Sequence, residues 1–534
     1  MNSSNDTNAP SGNKSDISQV SSRAGLVGFL TFISRFFGLA RDSFIAYLLG
    51  TKEAADAFYV AFRIPNLLRR LLAEGNLTIS FVPIFTEALR KDPEEAKKVA
   101  SYTFTLLSCL LLGITVLGVV FASSFVSFTA MGFRSDPDKF HLTVLLTRIT
   151  FPYIFLVSIG ALAMGILNSL KRFGAPAAAP IFMNLGIILA ALVLGKVVAH
   201  PSISLAIGVL LGGVLQIAVQ VPTLYRLGFL PRVAWNPGND YVRRIFKLML
   251  PAIYGSAVYQ LNILAITFMA SFLGTGAVSY LWYADRVMEF PLGVFAISFA
   301  TVILPQLSEH AADKNPEQFK STFLSGLRMI YFINIPAMLG LLCLSNLIIS
   351  VLFQHGHFNA DSTRQTAHAL MGFAIGLPFV SGTRITASAF YALQDSKSPV
   401  RAANWAVLVN IGVGALLVNF FGHVGLALGV SSGSVFNFFA HIYDFQKKNG
   451  RLGFAQAWPT ILKIICAALV MALVLISVEY FTWGLIFKNK FSKLLSLILL
   501  MGLGTFTYAV AAYLLKIEEF EVFKGIVKRR LGRV

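Results

Sequence analysis

LLGTKEAADAFYVAFRIP, residues 48–65, returns later in the chain as FLGTGAVSYLWYADRVMEFP, residues 272–291, with Gly50 on Gly274 and Arg63 falling near Arg286. The echo continues outward from there. Pro83-Ile-Phe-Thr-Glu87 matches Pro305-Gln-Leu-Ser-Glu309 at a spacing of 222 residues. Pro152 to Pro176 mirrors Pro378 to Pro399, and Asn184-Leu-Gly mirrors Asn410-Ile-Gly. Four matches in register, all at a spacing near 222 residues, mark a duplicated unit.

The medium in which that unit folds is set by composition. Of 534 residues, 56% are hydrophobic and 13% charged, and the mean hydropathy is +0.70. Soluble domains carry about 25% charged residues, so this chain belongs in lipid. Fourteen apolar blocks recur between about Ala24 and Leu515, each long enough to span ~30 Å of hydrocarbon. The sequence therefore predicts an all-α integral membrane protein of about fourteen transmembrane helices, built as two parallel six-helix repeats plus two extra C-terminal helices. The expected divisions are a disordered cytoplasmic N-terminus (1–22), an N-terminal lobe (23–228), a C-terminal lobe (240–450), two added helices (456–515) and a basic cytoplasmic tail (516–534). An even number of spans per repeat sends both copies into the bilayer the same way. Transporters of that design place substrate between the halves and rock one against the other.

A formal net charge of +19 invites a nucleic-acid reading, but the charges are not placed for it. Of 44 Lys and Arg, 27 lie in the N-terminal segment, alternate loops and the C-terminal tail, 8 in the opposite loops and 9 within apolar blocks. That bias puts both termini in the cytoplasm by the positive-inside rule, with the tail residues Lys528 to Arg533 beside anionic lipid. No nucleic-acid partner is expected. Cys109, Cys343 and Cys466 lie far apart in apolar blocks without metal or redox spacing. Residues 1–22 lack the basic region and short apolar run of a cleaved signal peptide.

The nine cations inside apolar blocks carry the functional reading. Arg35 and Arg41 sit in SRFFGLARD (34–42), and Arg63, Arg69 and Arg70 in AFRIPNLLRRLLAEG (61–75). An arginine at mid-membrane costs about 2.5–3.5 kcal/mol on insertion scales and usually faces a polar cavity. Asp42, Asp56 and Glu74 are the nearest carboxylates. The second repeat adds Arg286 and Arg384, with Asp285 and Glu289 beside Arg286. Glu289 is three residues on and shares its helical face. Arg70 and Glu74, four apart, fit a structural ion pair as well as a functional one. Such a chamber suits an anion, and planar guanidinium forks grip phosphate oxygens two at a time.

With these marks together, the chain resembles the MurJ/MviN family, lipid II flippases of the MOP transporter superfamily. The resemblance rests on SRFFGLARD, ADAFYVAFRIPNLLRR (55–70), FVPIF (81–85), TFPYIF (150–155), YADRVMEFP (283–291) and FQHGHF (353–358). It implies a cargo of undecaprenyl-pyrophosphate carrying the disaccharide-pentapeptide of peptidoglycan, moved to the periplasmic leaflet of the bacterial inner membrane. The arginines that the family uses fall on Arg35, Arg41, Arg69 and Arg286, with Asp42 and Asp56 as matched carboxylates. Arg63, Arg70, Glu74, Asp285, Glu289 and Arg384 are read as supporting or gating groups. The resemblance also gives the last two spans a lipid-tail groove.

Two rival functions fit part of the pattern. An exporter of drugs or of another polyprenyl-pyrophosphate saccharide shares the superfamily, but drug exporters usually handle cations, which an arginine chamber repels. An enzyme on such lipids needs clustered carboxylates, and apart from Asp136-Pro137-Asp138 no DD or DxD pair occurs in a loop. The apolar blocks 245–273 and 399–421 contain no Asp or Glu, which argues against an acidic cation site there. No metal and no cofactor are expected: His355 and His357 lack a third ligand at usable spacing, and Gly195-Lys196 lacks the rest of a phosphate loop. Gly208 and Gly212 read as helix packing, and cell-wall synthesis proteins as partners stay unassigned.

Overall fold

The computed structural model describes residues 12–72, 76–195, 197–450, 454–486 and 489–531. Among these the regular structure is helical. The first repeat comprises α1 (Gly12–Leu49), α2 (Glu53–Leu72), α3 (Asn76–Lys91), α4 (Pro93–Val120), α5 (Ala122–Thr129), α6 (Pro137–Thr150), α7 (Tyr153–Ser169), α8 (Gly174–Leu194), α9 (Pro201–Ala218) and α10 (Val221–Arg226). The second comprises α11 (Asp240–Ser271), α12 (Ala277–Pro291), α13 (Ile297–Ala312), α14 (Pro316–Phe353), α15 (Ala360–Ala374), α16 (Leu377–Ala392), α17 (Lys397–Phe421) and α18 (His423–Asn449). The added pair is α19 (Phe454–Ile486) and α20 (Lys490–Leu514), followed by α21 (Glu518–Leu531). Helix α1 begins at Gly12, so residues 12–22, expected to be disordered, are its first turns.

The repeats break their helices at matching places. Phe151-Pro152 separates α6 from α7, and Ile375-Gly376 separates α15 from α16 just before Pro378. Proline removes a backbone donor and crowds the preceding turn, which is what ends a helix there. Pro291 likewise closes α12, and a π-helical turn at Leu292–Ala296 carries the chain into α13. Among the described residues, ten helical segments are long and apolar enough to cross a membrane, by length and composition. The other four apolar blocks fall on α1, α2 with α3, α11, and α12 with α13. Three of these hold Arg35, Arg41, Arg63, Arg69, Arg70 and Arg286, whose charge lowers their hydropathy.

Glycine sets the closest helix contacts. A Cβ on Gly212 would lie 2.6 Å from the carbonyl oxygen of Met183, and one on Gly208 would lie 2.8 Å from Cα of Ile187, so α8 and α9 pack backbone to backbone. In the second repeat, Gly429 meets the Asn410 carbonyl and Gly414, which joins α17 to α18 the same way. Gly208 and Gly212 hold helices together, as read from the sequence.

The chain forms two compact units. One contains the described residues through Phe44, with Ala61–Ser123 and Val144–Ser256; the other contains Ile45–Val60, Ser124–Thr143 and the described residues from Ala257 onward. Their border differs from that of the repeats, because the chain from the end of α1 into α2 (residues 45–60) and that from α5 into α6 (residues 124–143) pack with the second repeat. Within the latter unit, Phe319 and Phe323 stack on Phe445, and Tyr508 of α20 donates to the Phe332 carbonyl at 2.7 Å. The added helices α19 and α20 thus lie against α14.

Candidate functional site

In the first unit the SRFFGLARD stretch forms one face of α1. Ser34, Gly38 and Arg41 recur at helical spacing, and Asn184 of α8 addresses all three. Its amide nitrogen donates to the Ser34 carbonyl at 3.3 Å and lies 3.7 Å from where a Gly38 Cβ would stand. Its carbonyl oxygen accepts from Arg41 Nη1 at 3.0 Å. The Arg41 Nε and Nη2 both donate to Asp42 Oδ1, at 3.0 and 2.7 Å. Arg41 is only 5% exposed, so a desolvated cation is satisfied by its neighbour in sequence and by one amide from a distant helix. Asn184 entered the sequence reading only as a repeat marker. Its counterpart Asn410 donates to Asn262 of α11, which reproduces the α8-to-α1 link without a charge.

The other candidate arginines of this unit lie along α1 and α2. Arg35 is exposed on α1. Arg63, Arg69 and Arg70 are half-buried, and Arg69 Nε donates to Asn66 Oδ1 at 2.7 Å one turn back. Arg69 and Arg70 occupy the last turn of α2, where the helix dipole favours a cation. Glu74 lies outside the described residues, so its pairing with Arg70 does too.

In the second unit Asp56 is 1% exposed and makes four contacts. Its carboxylate accepts from Lys139 Nζ and the Gly276 N–H, both at 2.8 Å, and from the Ser279 N–H and hydroxyl at 3.0 and 2.7 Å. A carboxylate from α2 therefore caps the N-terminus of α12, where exposed backbone N–H groups and the dipole both favour an anion. Gly276 has φ +96°, a left-handed conformation that suits glycine. Sequence matching put Gly274 opposite Gly50, yet the second left-handed residue is Gly276; Gly50 has φ +60°. Asp56, one of the matched carboxylates of the sequence reading, thus makes this cap together with an ion pair to Lys139, whose ammonium also sits 4.1 Å from the Phe133 ring centre.

Three residues along α2, Tyr59 stacks on Trp282 of α12 with ring centres 4.7 Å apart. Trp282 in turn underlies the Arg286 guanidinium at 5.5 Å, a cation–π contact. Arg286 Nη1 donates to Glu289 Oε2 at 2.7 Å. Asp285 and Arg384 are exposed on α12 and α16. Sequence reasoning missed Lys139, Ser279 and Trp282. Nothing in the spacing of Lys139 ties it to Asp56, 83 residues earlier.

His355 and His357 lie in the loop before α15. The His357 N–H donates to the Tyr47 carbonyl at 3.0 Å, which makes that loop a packing element. Among the described residues no group of three His, Cys, Asp or Glu side chains is arranged to hold a metal ion. Chemically, the set offers guanidinium groups, of which Arg41 and Arg286 each pair with a carboxylate on their own helix, and a carboxylate-capped helix start.

The family model described as "Lipid II flippase MurJ" matches residues 45–502. A protein of Vibrio cholerae named "Probable lipid II flippase MurJ" is 36% identical over 513 residues, 92% of this chain and 95% of the relative. The "Lipid II flippase MurJ" of Burkholderia cenocepacia is 37% identical over 455 residues, 84% of this chain and 87% of the relative. Among solved structures, "Lipid II flippase MurJ, inward closed conformation" is similar with a TM-score of 0.77 and 26% identity, covering 95% of this chain and 99% of that one. An inward-facing MATE multidrug transporter of the MOP superfamily shares the fold at a TM-score of 0.66 and 15% identity, covering 83% and 98%. A multi-pass helical chain with this repeat, these arginines and these relatives belongs to the MurJ lipid II flippase family.

Proposed function

We propose that the chain carries lipid II from the cytoplasmic to the periplasmic leaflet of the bacterial inner membrane by alternating access, with both termini cytoplasmic, and returns its cargo chemically unchanged. The observation that carries this reading is the pairing of Arg41 with Asp42 and of Arg286 with Glu289, each within one spanning helix. A carboxylate in the same helix keeps a guanidinium tolerable at membrane depth while no cargo is present. A pyrophosphate offers more negative charge and two oxygens per fork, so it displaces the single carboxylate. Arg35, Arg69, Arg63, Arg70 and Arg384 supply the surrounding positive potential. The polyprenyl tail stays in hydrocarbon, and the added helices α19 and α20 suit that role. The relatives' names support lipid II over other polyprenyl-linked saccharides, while the MATE neighbours share the fold alone.

Asp56 supplies the closing step in this reading. It binds the start of α12, and Tyr59 on the same helix reaches Arg286 through Trp282, so freeing Asp56 and repositioning Arg286 are linked movements of α2 on α12. The test is reconstitution in vesicles with a labelled lipid II, measuring leaflet exchange with and without a membrane potential. The unaltered chain should exchange the label, and Asp56→Asn should lower the rate at least tenfold at equal protein. Should a different polyprenyl-pyrophosphate saccharide exchange while lipid II does not, the cargo is misassigned. Chemical change in the recovered lipid would instead mean an enzyme.

A further inference from the structure

Between α10 and α11 the linker joining the two repeats runs back against α4. Phe229 sits edge-on to Phe85 at 6.1 Å, with Lys97 Nζ 5.7 Å from its ring centre. Further on, the Arg232 N–H donates to Ser101 Oγ at 3.1 Å and the Ala234 N–H to Thr105 Oγ1 at 2.9 Å. The chain then turns back, and Asn239 Nδ2 reaches Glu95 Oε1 at 3.4 Å. Arg244 closes the return with two hydrogen bonds to Glu87, at 2.9 and 2.7 Å.

The order of these contacts along α4, at residues 97, 101, 105 and then 95, describes a strap that climbs about two helical turns, ~12 Å, and comes down again. Lys98 is the last charged residue of α4. Thr105 lies ~10 Å beyond it along the helix axis, in a segment apolar enough to cross a membrane. Irregular backbone is tolerated at such depth only where protein satisfies its polar groups. Ser101 and Thr105 do so with a free lone pair each, since their own hydrogens go to Lys97 O and Ser101 O, both at 2.9 Å. That accounts for two buried hydroxyls in an apolar helix. The side chains at the tip turn outward, with Val233 84% and Trp235 64% exposed beside an exposed Arg232.

We propose that residues 229–239 form a shallow re-entrant anchor in the cytoplasmic leaflet, with Val233 and Trp235 at the boundary of headgroups and acyl chains and Arg232 on a lipid phosphate. An apolar residue, an indole and a cation side by side are the composition that partitions to a membrane interface. The anchor fixes the depth of the segment between the repeats. Its assignment to the cytoplasmic leaflet rests on the orientation proposed above; its insertion does not.

The test uses the full chain with Cys109, Cys343 and Cys466 replaced by serine, reconstituted in phosphatidylethanolamine–phosphatidylglycerol vesicles. A single environment-sensitive label is placed by Val233→Cys, Trp235→Cys, Pro237→Cys or Leu112→Cys. Labels at 233 and 235 should be quenched at least twofold more by a lipid nitroxide at acyl carbon 5 than by aqueous iodide, and the label at 237 the reverse. Adding Ser101→Ala with Thr105→Val should return the label at 235 to iodide. Leu112, exposed on α4, reports the span itself through a mid-chain nitroxide. Labels at 233 and 235 behaving like 237, while 112 meets lipid, would overturn the anchor and leave a water-facing surface for a soluble partner. Iodide quenching at 112 would overturn the span reading of α4 and the anchor with it.

Discussion

Arg41 and Asp42 are the clearest case of two adjacent residues that need each other. Asp42→Asn leaves a desolvated guanidinium with a weaker partner, and breaking a buried pair costs about 3–5 kcal/mol. The expected result is a fall in thermal stability and membrane level, read by fluorescence-detected size exclusion after heating. Asn184→Ala removes one hydrogen bond to a charged group, about 1.5–3 kcal/mol, and should disturb the protein less. A larger effect from Asn184→Ala than from Asp42→Asn would make the α1–α8 link, and not the ion pair, the dominant interaction. Arg41→Lys and Arg286→Lys keep charge and lose the fork. At about 2–5 kcal/mol for a lost desolvated contact, affinity for a pyrophosphate should drop roughly 30-fold to several thousand-fold. Arg90→Ala, at an exposed position in the last turn of α3, should be nearly silent. Complementation in cells depleted of their own flippase, at matched membrane levels, checks both; Lys variants that support growth like the parent would leave positive charge as the sole requirement. The arginines were legible because an insertion cost belongs to a residue type. The carboxylates on the same helix, Asp42 and Glu289, were legible too; the distant partner was not, since Asn184 is 143 residues from Arg41 and meets it only through α8.

Two elements carry predictions of their own. Asp395 precedes α17 and accepts from the N–H groups of Lys397 and Ser398 at 3.1 and 3.0 Å, and from Lys448 Nζ at 2.6 Å. Burial pushes its carboxyl up, but the hydrogen bonds from Lys448 and Ser398 outweigh that and hold it well below the usual carboxylate range. A depressed folded-state pKa means the stabilisation is complete above the ordinary carboxylate pKa of about 3.9 and is lost as pH falls through the folded value. Asp395→Asn should therefore cost about 1 kcal/mol at pH 7, as for a lost cap. In acid the gap between parent and variant should narrow, as followed by thermal unfolding in detergent from pH 7 to pH 3. A gap that widens in acid would reverse the sign of the linkage. In α9, Gly212→Val must push α8 away from a backbone contact, and overpacking of this kind costs about 1–3 kcal/mol. Thermal unfolding should show it, with Gly228→Val, which has open space around it but a φ of +71°, as a purely backbone control. The glycine pattern and the proline breaks were visible in the sequence, because both act through the local backbone. The Asp395–Lys448 contact was not, as it requires α17 and α18 to be paired first.

Across the whole molecule, the orientation of the spans is open to a direct measurement. External thiol labelling of intact cells should modify Pro137→Cys and Ala360→Cys and miss Glu94→Cys; the reverse would refute cytoplasmic termini. What the sequence alone determined is everything set residue by residue or written twice: a membrane chain, a helical unit repeated at a spacing near 222 residues, broken helices at proline and cations inside spans. Hydrophobic transfer, backbone restriction and charge burial act wherever such residues stand, so no tertiary contact is needed to read them. Only the tertiary structure decided that Asp56 caps α12 with Lys139 beside it, and that residues 45–60 and 124–143 pack with the second repeat. A buried carboxylate must find donors, but many donors in the chain would satisfy it. Which one does is fixed by how distant helices meet.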